Sequence, residues 1–112
     1  MILHMLKRSD WESAKSKGIY HPPSLTEEGF IHCSQPEMIV TVANGLYLGQ
    51  TDMIILVIDS EMLIAPLIYE DCYETGYAFP HIYGSITPDV VLDVIDFPCK
   101  ENGEFALPEK LA

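Results

Sequence analysis

At 112 residues and 48% hydrophobic content, the chain has room for one domain with a core of its own and not for two. Six Lys and Arg against 17 Asp and Glu leave a formal net charge of −11. That is too few cations to displace the counterions of DNA or RNA, and the wrong sign for an anionic membrane surface.

Ile2 to Leu6 predicts a first strand, interrupted by His4. Ser9-Asp10-Trp11-Glu12 reads as a capping box with Ser9 as N-cap; a helix follows with Trp11 and Ala14 inward, and Gly18 stops it. Tyr20 to Pro23 must be extended, because a residue before proline avoids the helical region. Phe30 to Cys33 is a second short strand, whose alternation sets Phe30 and His32 on one face and Ile31 and Cys33 on the other. Ser34-Gln35-Pro36-Glu37 repeats the capping box, and Met38, Ile39, Val42, Ala43, Leu46 and Tyr47 continue it as an apolar helical stripe ending near Gly49. Met53 to Asp59, apolar and rich in β-branched residues, is a central strand, and Leu67 to Glu70, Ile82 to Ile86 and Val90 to Ile95 are further strands. Two early helices and a strand-rich remainder specify an α+β fold. The expected division is a single domain over 1–112, with its core at about 2–96 and a tail, 98–112, that loses periodicity and lies over the surface or an edge.

Met53 to Ile58, the longest apolar run, is far short of a bilayer span, and the N-terminus lacks the pattern of a secretion signal. Cys33, Cys72 and Cys99 form no CxxC pair, which suits a reducing compartment. A soluble, cytoplasmic protein is expected.

His32 ends a strand where a helix is predicted to begin, near backbone N–H groups that attract anions. Gly29 lets the backbone bend closely there, and Ser34 stands ready as a cap or a ligand contact. In Phe79-Pro80-His81-Ile82-Tyr83-Gly84, alternation points His81 and Tyr83 the same way and turns Ile82 into the core. An imidazole beside a phenol suits hydrogen bonding to a ring or a ribose. His4 is either a satisfied core histidine or a ligand contact, and Glu70 either an exposed strand end or a catalytic carboxylate. His4, His32 and His81 can meet on one sheet face; three imidazoles would suit a catalytic zinc, but their spacing lacks the usual metal pairing, and no metal site is assigned.

The order of His4 in LHML, Trp11, EEGFIHCS at 27–34, VANGLY at 42–47, LVID at 56–59, YE at 69–70 and FPHIYG at 79–84 resembles a bacterial family of unknown function, number 952. That family resembles a minimal ADP-ribosyltransferase fold: a split, mostly antiparallel sheet that binds NAD between its halves. The resemblance implies that His4 holds the ribose or nicotinamide, that His32 and Ser34 occupy the second-strand motif, and that Glu70 or His81 fills the late polar position. Tyr83 is a stacking partner. The expectation is a nucleotide ligand, with NAD as substrate rather than cofactor; Glu70, His81 and His32 carry any catalysis, and His4, His32, Ser34, His81 and Tyr83 bind. The alternatives are a non-enzymatic module that binds a small molecule or a protein, and a metal-dependent hydrolase using the histidines.

Overall fold

The computed structural model describes residues 1–112. β1 (Ile2–Lys7), β3 (Met53–Ile58) and β6 (Val91–Asp96) form one antiparallel sheet in the order β1-β3-β6. β2 (Ile31–His32), β4 (Leu67–Glu70) and β5 (Phe79–Ile82) form a second, in the order β2-β5-β4. Three helices accompany them: α1 (Arg8–Lys17), α2 (Pro23–Glu27) and α3 (Ile39–Leu46). The architecture is α+β with antiparallel pairing throughout, and no helix is long and apolar enough to cross a membrane.

The uniform apolarity of β3 has a direct cause: both faces of its sheet are covered. Ile54, Leu56 and Ile58 join Ile2 and Leu6 of β1 in a core closed by Trp11 and Ala14 of α1 and by Ile31 and Ile82 of the second sheet. Met53, Ile55 and Val57 join Leu3 and Met5 in a second core, closed by Ile39 and Ala43 of α3 and by Phe97 and Phe105. Each of these large side chains contributes about 1.5–3 kcal/mol by leaving water.

The two sheets touch where Leu3 and Ser34 exchange N–H···O bonds of 2.9 and 2.7 Å, and a separate bridge joins Tyr20, after α1, to Ile86, after β5. Backbone polar groups alternate in direction along an antiparallel strand. Met5 and Lys7 therefore aim theirs the same way as Leu3, toward a side where β1 has no neighbouring strand. The sheets part there, and the gap is the cleft described below.

Several local expectations fail for tertiary reasons. Ser9 does not cap α1, which starts at Arg8 directly after β1; the Arg8 N–H is satisfied by the Asp52 carbonyl at 3.0 Å. Ser34 caps nothing, because its backbone is committed to the bridge with Leu3, and α3 starts only at Ile39. Pro23 opens the unanticipated α2 as its first residue, a position that tolerates proline, so the early helices number three rather than two. β5 begins three residues before the predicted strand, since Pro80 is accommodated inside it, its carbonyl accepting from Cys33 N–H at 3.0 Å. The C-terminal segment is also more than a surface cover. Phe105 is buried against Phe97 with ring centroids 4.7 Å apart, and Asn44 of α3 accepts the Phe105 N–H at 2.7 Å.

Candidate functional site

A cleft of about 760 Å³ opens along the unpaired edge of β1. His4, His32, Ser34 and His81 all line it, together with Tyr20 and Glu28. Strand register explains the convergence. His32 and His81 are direct cross-strand partners on β2 and β5, and the Leu3–Ser34 bridge brings β1, with His4, against the end of β2.

His4 forms the buried floor. Its Nδ1 lies 2.6 Å from the His32 carbonyl oxygen and its Nε2 lies 2.7 Å from the Tyr20 hydroxyl. A carbonyl only accepts, so Nδ1 carries the proton and Nε2 accepts from Tyr20 O–H, which fixes one neutral tautomer. Burial enforces that state, holding the His4 pKa down to about 4. Burial likewise pushes Tyr20 up, so its hydroxyl stays protonated. With both ring nitrogens committed, His4 has no lone pair for a three-histidine metal site.

His32 and His81 are each paired with a carboxylate. His32 Nε2 bonds Glu28, and both side chains are about half exposed. The contact is made by Gly29, whose φ of 92° folds the chain between α2 and β2 back on itself, a conformation open chiefly to glycine. His81 is enclosed: its ring stacks on Phe30 at a centroid distance of 3.9 Å, and its Nδ1 lies 2.9 Å from Glu70 Oε1. Tyr83 donates its hydroxyl to the same Glu70 oxygen. The Tyr83 bond first, then the His81 bond, hold the Glu70 carboxyl below the usual carboxylate range, and Glu70 in turn pushes the Tyr83 phenol up to about 12. Glu70 is therefore ionised at neutral pH and accepts a hydrogen bond from His81 Nδ1–H, so that in the neutral imidazole Nε2 is the nitrogen carrying the lone pair. The two imidazoles stand 5.6 Å apart, edge to face.

His4, His32, Ser34 and His81 thus share the cleft, whereas Glu70 and Tyr83 stand behind His81 and reach the cleft through it. Glu28 and Asp10 are the carboxylates that line the cleft itself. Sequence reading missed Glu28, Tyr20 and Phe30 as members of this set. Only the aromatic character of Phe30, two residues before His32 on the same strand face, gave a usable signal.

The X-ray crystal structure of protein CC0527 from Caulobacter crescentus superposes with a TM-score of 0.87 at 28% identity, covering 98% of this chain and 96% of that one. Its solution NMR structure gives 0.84 at 28% identity, covering 99% and 96%. No curated protein matches the chain significantly. The profile of DUF952, described as a protein of unknown function, matches residues 5–94, and the chain belongs to that family.

Proposed function

We propose that the cleft binds NAD or a related nucleotide, and that the protein transfers or hydrolyses ADP-ribose as a reduced form of the ADP-ribosyltransferase fold. The observation that carries this reading is the meeting of His4, His32 and His81, from β1, β2 and β5, in one cleft at the split between two antiparallel sheets. His4, with both ring nitrogens committed, fixes the Tyr20 hydroxyl in the cleft, where the Tyr20 oxygen is free to accept from a ribose hydroxyl or a carboxamide N–H. His81, held by Glu70 and stacked on Phe30, lines the cleft, and Nε2 is the nitrogen left to act as a general base. Glu70 is then a positioning residue. Cleavage of the ribose–nicotinamide bond builds positive charge at the sugar carbon while nicotinamide departs neutral; water attacks that carbon and its proton passes to His81. Glu28 supplies the negative charge that the oxocarbenium character needs. Lys7 is the single cation lining the cleft and the contact for the diphosphate. The three free cysteines support a reducing, cytoplasmic setting.

The test is a titration of the imidazole NMR signals with NAD at fixed pH and without added metal. Shifts are expected at His4, His32 and His81, with exposed His21 unmoved. His32→Ala should abolish them while changing stability by no more than about 0.5–1 kcal/mol, since that side chain is about half exposed and its ion pair is screened by water. No movement at millimolar NAD would overturn the proposal.

A further inference from the structure

Behind the cleft, and sharing His81 with it, Glu70, Cys72 and His81 gather three different ligand types on the β4–β5 hairpin, and we propose that they bind a single divalent cation of the zinc type. Glu70 Oε1 lies 2.9 Å from His81 Nδ1, Cys72 Sγ lies 3.9 Å from the same nitrogen, and all three donor atoms fall within 4.8 Å of one another. Tetrahedral zinc, with bonds of about 2.0 Å to nitrogen and oxygen and about 2.3 Å to sulfur, spaces such donors about 3.3–3.6 Å apart. The existing triangle brackets that spacing. Metal entry asks the imidazole and carboxylate to separate by a few tenths of an ångström and the exposed Cys72 side chain to swing inward.

The surroundings suit a cation. Glu70, Asp71 and Glu28 all act electrostatically on Cys72, and none of them is paired with a Lys or Arg. His81 is already immobilised by Phe30, and Tyr83 donates to Glu70, the outer-shell support that orients metal ligands. A thiolate beside an imidazole selects zinc or its congeners over calcium or magnesium, which prefer all-oxygen sites. Binding through Nδ1 also moves the His81 proton to Nε2, converting that nitrogen from acceptor to donor.

The reduced full chain, dialysed against zinc chloride and against cobalt chloride as an optical probe, tests this. One metal per chain is expected, with a sulfur-to-cobalt charge-transfer band and transfer of the His81 proton visible in imidazole nitrogen shifts. Cys72→Ala and Glu70→Gln should each weaken binding by at least about tenfold. Cys99→Ser should leave it unchanged. Absence of bound metal at 100 µM free zinc, or Cys72→Ala binding as tightly as the parent, would overturn the site. Neither measurement uses NAD, so the two readings are tested apart; with metal on Nδ1 making Nε2 a donor, the metal-loaded chain is not the state in which His81 serves as a base.

Discussion

Acidification to pH 5 should remove about 2 kcal/mol of folding stability through His4 alone. In the fold, burial holds this imidazole at a pKa of about 4, against 6.5 when free. To protonate, it must lose the Tyr20 hydrogen bond to Nε2, since the carbonyl of His32 already occupies Nδ1. The unfolded chain has no such constraint and takes up the proton as the pH falls through 6.5. Stability is therefore complete above that pH and drains away between 6.5 and 4. The gap between 6.5 and about 4, at 1.36 kcal/mol per pH unit, amounts to about 3 kcal/mol, of which about 2 is gone by pH 5. Glu70 and Asp71, whose carboxyls are held below their usual range by hydrogen bonds, lose their contributions only at lower pH and leave this window clear. Urea unfolding followed by circular dichroism at pH 7.5, 6 and 5 gives the profile. In His4→Gln the amide can donate to the His32 carbonyl and accept from Tyr20 without titrating, so the parent should lose about 2 kcal/mol more than the variant over this range. Parallel profiles would refute the assignment of a buried neutral His4.

Three further outcomes are expected. Tyr83→Phe removes the largest influence on Glu70, so the Glu70 carboxyl should titrate at higher pH in a carbon-13 NMR experiment; an unmoved midpoint would mean that the Tyr83 bond is not made in solution. Gly84→Ala puts a methyl group 2.7 Å from the Ala65 Cβ and should cost about 1–3 kcal/mol in chemical denaturation. Ala65→Gly in the same chain should restore part of that loss, and strictly additive effects would break the argument. Phe105→Ala should cost about 3–5 kcal/mol if the C-terminal segment completes the second core, whereas a near-neutral result would return that segment to the surface.

Period-two alternation made much of the site legible. It put His32 with Phe30, His81 with Tyr83, and Ile31 and Ile82 in the core; the Phe30 and His32 rings do meet, His81 and Tyr83 share one Glu70 oxygen, and both isoleucines are buried. Contacts that depend on a turn or a distant bridge were invisible. Glu28 meets His32 only because Gly29 reverses the chain, and Tyr20 reaches His4 only because its backbone is pinned to Ile86. The capping boxes misled for a related reason. A cap predicts that a helix start needs local hydrogen-bond partners. In α1 the carbonyl of Asp52, 44 residues away by the Arg8–Asp52 separation, serves instead.

The two imidazole–carboxylate pairs differ in a way that decides how the site can be dissected. His81 of β5 is packed under the Phe30 ring at the cleft wall, with a side chain only 2% exposed, so replacing it opens a cavity and leaves Glu70 without its imidazole partner. Loss of ligand binding in His81→Ala would then mix chemistry with folding. His32 and Glu28 face solvent, where water screens the pair and little stability rides on it. Their removal tests recognition alone. Cys72→Ala plays the same part for the metal site, since that side chain is exposed and the His81 stack does not rest on it. A chain that keeps its thermal midpoint in both variants, loses NAD shifts in one and metal in the other, would separate the cleft face of His81 from its Nδ1 face within one imidazole ring.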